Sequence, residues 1–184
     1  MSDPIILDLT GAGFPLTNLA NGVKFDFFNK GKPVQLSWTQ YGSDAGWLAL
    51  DRNGDGLITS GAELFGNYTP QPNPWPMAPN GFRALALYDL PANGGNGDGV
   101  ISSKDAVWPK LRVWVDKNHS GITDPGELIT MQQAGIVSIS VHYDDARWTD
   151  EYGNQFRNRS KITFSGGKDK NDRYAYDVTL LSQK

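Results

Sequence analysis

The segment Asp51-Arg52-Asn53-Gly54-Asp55-Gly56-Leu57-Ile58-Thr59 sets oxygen-bearing side chains at alternate positions ahead of a glycine and an aliphatic residue. Such spacing suits a short loop wrapped around a hard cation. The first, third and fifth positions turn carboxylate or amide oxygens inward, and glycine at the sixth permits a sharp turn. The seventh offers its backbone carbonyl, and a late acid closes the shell. Asp51, Asn53 and Asp55 fill the first three roles, Leu57 gives the carbonyl, and Glu63 closes one place later than the usual twelfth position. The chemistry predicted is calcium binding.

Two further segments repeat the pattern. Asp116, Asn118 and Ser120 supply alternate oxygens, Ile122 the carbonyl, and Glu127 the acid at the twelfth position. In Gly94 to Ile101, Asn96 and Asp98 supply oxygens, Val100 the carbonyl and Asp105 the closing acid, but glycine stands where the first acid belongs. Asp89 or Asn93 is left to reach back into that gap, and glycines at 94, 97 and 99 allow the detour. Asn-Gly and Asp-Gly pairs are strong turn signals without any metal. Acids recurring at the same offsets in three places favour two to three Ca2+ ions over plain turns.

The elements flanking the loops are predicted to be strands on entry and short helices on exit. Gly46 to Leu50 and Leu111 to Val115 alternate large apolar and other residues into the first acid, as strands do. Gly61 to Gly66, Ser103 to Lys110 and Pro125 to Gly135 read as short helices, and Gly81 to Leu90 carries apolar residues suited to one helical face. Without an entering helix, a calcium-driven opening of a helix pair is not expected. Apolar runs at Ile5 to Leu9, Val23 to Phe28, Val34 to Trp38, Ile136 to Tyr143, Gln155 to Phe164 and Arg173 to Leu181 predict strands, with turns at Tyr152-Gly153-Asn154 and Ser165-Gly166-Gly167. Tyr68 to Pro79, around Trp75, reads as an irregular connection. The fold class expected is α+β: one compact module with strands in 1–50, calcium loops and helices in 51–135, and strands in 136–184.

Composition narrows the function classes. With 184 residues and 39% hydrophobic content the chain can bury a real core. A net charge of −3, with acids concentrated in the loops, leaves no basic stripe for nucleic acid or an anionic membrane. The chain has no cysteine, no apolar run able to span a bilayer and no secretory leader. Calcium loops without cysteine suit a secreted or cell-surface setting, where sites of about 10⁻⁴ to 10⁻³ M suffice, and the missing leader suggests part of a larger exported protein or an unconventional secretion route.

Other polar and aromatic residues receive plainer readings. Trp47 and Trp114 sit beside calcium loops and read as core, not as ligand-stacking platforms. His119, at an outward loop position, and His142, in a predicted strand, lack partners for zinc or a nucleophilic triad. Asp144-Asp145 and Lys168-Asp169-Lys170 read as solvated turns, and Asp124-Pro125 as a helix start.

Asp3-Pro4-Ile5-Ile6-Leu7-Asp8-Leu9, Asn21 to Asp26, Leu50 through the Gly-Ala-Glu-Leu-Phe-Gly tail at 61–66, and Leu111 to Leu128 resemble the calcium-dependent self-processing module of RTX-type secreted bacterial proteins and related EF-hand-like calcium-binding domains. The likeness covers about residues 3 to 140. It implies cleavage at Asp3-Pro4, with Asp3 as nucleophile and Pro4 on the leaving side, and capture of the activated aspartate by a lysine amine. An aspartate carboxylate can close a five-membered anhydride onto its own carbonyl when its rotamer is held. The chain departs from the family's two earlier calcium motifs, keeping only the leading acid in Asp8 to Gly13 and in Asp26 to Gly31. On that account a calcium-stabilised structural module is the first expectation and self-cleavage the alternative. A dockerin-like protein-binding module, suggested by the interval between the Gly94 and Asp116 loops, is a third. The partners expected are calcium and another protein or the rest of a parent chain.

Overall fold

The computed structural model describes residues 2–73, 78–166 and 173–183. Trp75, Gly167 and Lys168-Asp169-Lys170 lie outside them. Among the described residues eleven strands run β1 (Ile5–Asp8), β2 (Val23–Phe25), β3 (Val34–Leu36), β4 (Ala45–Leu50), β5 (Val100–Ser102), β6 (Leu111–Trp114), β7 (Leu128–Thr130), β8 (Ile136–Ser140), β9 (Asp144–Thr149), β10 (Gln155–Phe164) and β11 (Tyr174–Thr179). Nine of them form one sheet in the order β5-β8-β10-β11-β1-β4-β6-β7, with β9 also on β10, and β2-β3 pair separately. All named pairings are antiparallel.

The central strands are apolar on both faces because both faces are covered. Ile5, Leu7, Leu48 and Leu50 enter one core with Phe65, Phe82 and Ile139. Ile6, Trp47 and Ala49 enter the other with Trp38, Trp114, Phe156 and Val178. The period-two alternation of side chains thus divides one continuous apolar run between two cores. Gly46 is required where β4 meets β6, since a Cβ there would lie 2.6 Å from Val113 Cγ1 and 2.8 Å from the Trp114 carbonyl oxygen.

The α+β expectation is overturned: the fold is mostly β, and its single α-helix among the described residues is α1 (Gly81–Ala86), capped by Asn80. The exit helices are replaced by extended chain and turns. Residues 60 and 64 make isolated bridges to Asp26 and Ala49. Residues 103–110 form turns ending in a 3-10 turn at Trp108–Lys110. The stretch from Pro125 contains β7, whose Ile129 and Thr130 favour a strand once β6 offers an edge. Asp144 and Asp145 begin β9 and are not turn residues, and His142 lies past the end of β8.

Candidate metal loops and the Asp3 cavity

In the first loop Asp51 accepts the Gly54 and Gly56 amides at 2.7 and 2.8 Å. Asn53 Oδ1 accepts the Asp55 amide at 2.9 Å, and Asp55 Oδ1 accepts the Leu57 amide at 2.9 Å. Glu63 reaches back to the Thr59 amide at 2.9 Å and the Arg52 amide at 3.3 Å. Each carboxylate or amide is aimed into the loop because the backbone N–H groups point there.

The second loop repeats this scheme from different residues. Asp116 accepts the Gly121 amide at 2.8 Å, Asn118 the Ser120 amide at 3.1 Å, and Ser120 Oγ the Ile122 amide at 3.1 Å. Glu127 accepts the Asp124 amide at 3.1 Å and the Lys117 amide at 3.1 Å. Two indoles also donate here: Trp38 Nε1 to Asp116 at 2.8 Å and Trp114 Nε1 to Glu127 at 3.3 Å. His119 holds the fourth position at φ 59, a conformation costly for a residue with a Cβ. Its ring is fixed against the carbonyls of Thr39 and Asn21 at 2.6 and 2.8 Å.

The third loop settles which residue fills its first position. Asp89 accepts the Gly97 and Gly99 amides at 3.1 and 2.9 Å, as Asp51 does for Gly54 and Gly56. Asn93 turns away to the Leu87 carbonyl. Asn96 accepts the Asp98 amide, Asp98 the Val100 amide, and Asp105 the Ser102 amide at 2.7 Å. In all three loops the closing acid therefore caps the ninth-position N–H.

Donor chemistry separates the loops. Among the described residues, only Asp51, Asp55 and Glu63 bring three acidic oxygens within 4.8 Å of one another. Calcium–oxygen bonds of about 2.3–2.6 Å put ligands on opposite sides of an ion about 5 Å apart, so this set fits the ion. In the third loop Lys104 Nζ lies 3.4 Å from Asp98 and shares that oxygen. Asp8 and Asp26 begin loops with the same amide wrap, Asp8 to Gly11 and Gly13, Asp26 to Lys30 and Gly31. They lack acids at the following alternate positions.

Asp3 and Pro4 stand at a different site. The strand register puts Asp177 opposite Ile5, and the Val178 amide donates to the Pro4 carbonyl at 3.1 Å. Side chains two residues apart share a face, so Asp3 and Asp177 point to the same side as diagonal neighbours. They line a cavity of about 520 Å³ with Asn80, Trp148, Arg157 and Asn158. The Oδ1 atoms of both acids are buried without a hydrogen-bond partner among the described residues. Burial raises the Asp3 carboxyl to about 6 against the opposing charge of Arg157, while burial and then the Asp3 charge hold Asp177 well above the ordinary carboxylate range. A register shift between Phe156 and Asn158 interrupts the pairing of β10 with both neighbours at Arg157, the kind of bulge that re-aims a side chain. Gly66 closes the back of the site: a Cβ there would meet the Asp3 carbonyl oxygen at 2.7 Å and Pro4 Cα at 3.2 Å.

A family model described as the SPM domain matches residues 5–180. The chain belongs to the SPM domain family. A relative named iron-regulated protein FrpA, from Neisseria meningitidis serogroup C, is 36% identical over 167 residues. The match covers 90% of this chain and 14% of that protein, so the chain spans a small part of its relative's length.

The SPM domain assignment replaces the expected one, to an RTX-type processing module grouped with EF-hand-like domains. What overturns it is the family match together with a β-rich fold that has one short helix and no helix-loop-helix unit among the described residues. Within this SPM domain the predicted loop residues fall into three separate clusters, and Asp3 and Pro4 fall at none of them. Sequence reasoning missed Asp124, whose carboxylate accepts from Asn118 Nδ2 at 2.7 Å and Ser120 Oγ at 3.1 Å. Its ninth-position spacing carried that signal, which the helix reading of Asp124-Pro125 masked. Asp177 and Arg157 carried no sequence signal, since only the β1-β11 register and the β10 bulge bring them to Asp3. Trp47 and Trp114 are fully buried.

Proposed function

We propose that this SPM domain is a calcium-stapled β module of a larger exported bacterial protein, its loops locking the sheet when the ion is present. The observation that carries this reading is the convergence of Asp51, Asp55 and Glu63 within 4.8 Å. The Leu57 carbonyl and Asn53 complete the first set. Asp116, Asn118, Ser120, Asp124, Glu127 and the Ile122 carbonyl form the second, and Asp89, Asn96, Asp98, Asp105 and the Val100 carbonyl the third. An ion held in these loops neutralises acids that otherwise repel, and it stabilises the folded chain by mass action. The relative's far greater length supports residence in a larger chain. Calorimetric titration with calcium, and with magnesium as control, tests the reading: saturable calcium heat abolished by Asp51→Ala supports it, and no heat above dilution ends it.

A second reading is favoured by Asp3: cleavage of the Asp3–Pro4 bond by the Asp3 carboxyl. The observation is a buried carboxyl with one unpartnered oxygen, in a cavity, beside its own peptide bond. Loss of Met1 to Asp3 from the intact mass after incubation in calcium is the expected result, and an unchanged mass in calcium and in chelator alike removes this reading. The dockerin-like alternative is not carried forward, because the paired helices it needs are absent among the described residues.

A further inference from the structure

We propose that Asp177 is the proton donor to the Pro4 nitrogen in cleavage of the Asp3–Pro4 bond, the two carboxyls acting as a pair that holds one proton. This rests on the cleavage reading above.

The placement comes from the sheet. Antiparallel pairing of β1 with β11 sets Asp177 opposite Ile5, one residue beyond Pro4, and the Val178–Pro4 hydrogen bond fixes that register next to the bond to be broken. Asp3 and Asp177 are respectively 9% and 1% exposed, so neither is free to rotate into water. Asn158 Nδ2 donates to Asp177 Oδ2 at 3.4 Å and the Gly81 amide also supports the carboxylate, while Oδ1 is buried without a hydrogen-bond partner among the described residues. Two carboxyls so placed repel when both are ionised, which favours the state with a single proton.

That state is the one the chemistry needs. The Asp3 carboxylate attacks its own main-chain carbonyl carbon, a C–O bond forms and closes a five-membered anhydride, and the C–N bond to Pro4 breaks. The departing electron pair on the Pro4 nitrogen takes the Asp177 proton, leaving a secondary amine and an Asp177 carboxylate. Water then opens the anhydride to two carboxyl groups, and the proton released returns to Asp177. No metal or other reagent takes part in the proton balance. The charged groups acting on the pair are Arg157 from β10 and, at the cavity, Asp145 and Arg147 from β9. The Gly66–Asn67 and 78–80 segments bring no charge.

The test follows intact mass of the full chain in calcium, as a rate against pH, for the wild type, Asp177→Asn and Asp177→Glu. The wild type is expected to give a bell, falling in acid as Asp3 is protonated and in alkali as the donor is lost. Asp177→Asn is expected to slow the rate by about 10² to 10⁴-fold, the usual range for general acid catalysis, and to erase the alkaline limb, while Asp177→Glu keeps a displaced alkaline limb. Should Asp177→Asn melt without a cooperative transition, the displaced limb in Asp177→Glu decides the matter. A folded Asp177→Asn that cleaves at the wild-type rate with the same profile overturns the assignment while leaving cleavage by Asp3 standing. A wild type that never loses its first three residues overturns both.

Discussion

The Ile5 amide donates to the Phe65 carbonyl at 2.7 Å. This one bond joins β1, which starts just after Asp3–Pro4, to the segment that starts at the loop-closing Glu63. Leu50 donates to the Glu63 carbonyl and Phe65 to that of Leu48, so the segment is also tied to β4 on the loop's entry side. Whatever orders Glu63 orders the wall behind Asp3.

Calcium is therefore expected to raise the melting temperature of the whole sheet and not of one loop. At about a hundredfold excess over Kd, binding to the folded chain alone contributes about 2.7 kcal/mol per site. Scanning calorimetry in calcium and in chelator reads this directly, and Asp51→Ala should remove most of the difference contributed by the first loop. A difference that survives Asp51→Ala intact would place the tightest ion elsewhere.

Gly66→Ala is expected to destabilise the chain by about 1–3 kcal/mol through overpacking, because the new Cβ would sit 2.7 Å from a backbone oxygen that cannot turn aside. Denaturant unfolding measures it. The same substitution should uncouple calcium from any chemistry at Asp3, leaving binding heats near those of the wild type.

Asp3→Asn should stabilise the chain in a pH-dependent way. A carboxyl whose pKa rises from 3.8 to about 6 on folding binds protons more tightly when folded. Its penalty is therefore absent below pH 3.8, grows as the pH climbs through that window, and is complete above about 6. The variant's advantage, about 3 kcal/mol at neutral pH by that shift, should vanish on acidification. A gain independent of pH from 3 to 8 would show that Asp3 is not held protonated by burial.

In the third loop, Asp89→Ala and Asn93→Ala should separate cleanly. The first strips acceptors from the Gly97 and Gly99 amides and should cost about 1–3 kcal/mol. The second removes one donor to the Leu87 carbonyl at an exposed position and should cost less than about 1 kcal/mol. Equal losses in urea melts would refute the assignment of Asp89 to the first position.

Much of the loop geometry was legible because it is local: a carboxylate at one position and glycines three and five residues on determine who donates to whom. Strands with hydrophobic partners on both sides, β1, β4 and β10, announced themselves as apolar or alternating runs. What the sequence hid is whatever depends on a neighbour. Leu128–Thr130 is a strand because β6 has an open edge, and Asp144–Thr149 pairs with β10 despite three charged residues among its six positions and flanks read as turns. The residues after each loop looked helical by length and capping, yet after the first loop Ser60 bridges Asp26 and Leu64 bridges Ala49 of β4, which leaves no room to coil. The Asp3 site was half visible: Asp-Pro is written in the chain, whereas Asp177 lies nearly a whole chain length away and meets it only through the register.

Trp38 and Trp114 donate to Asp116 and Glu127 of the second loop and meet edge to face with ring centroids 5.5 Å apart, next to Trp47. Any ion drawing on those two carboxylates must redistribute the electron density its indole partners see. The module consequently carries its own optical gauge: ultraviolet emission from unlabelled protein should register filling of that loop in real time.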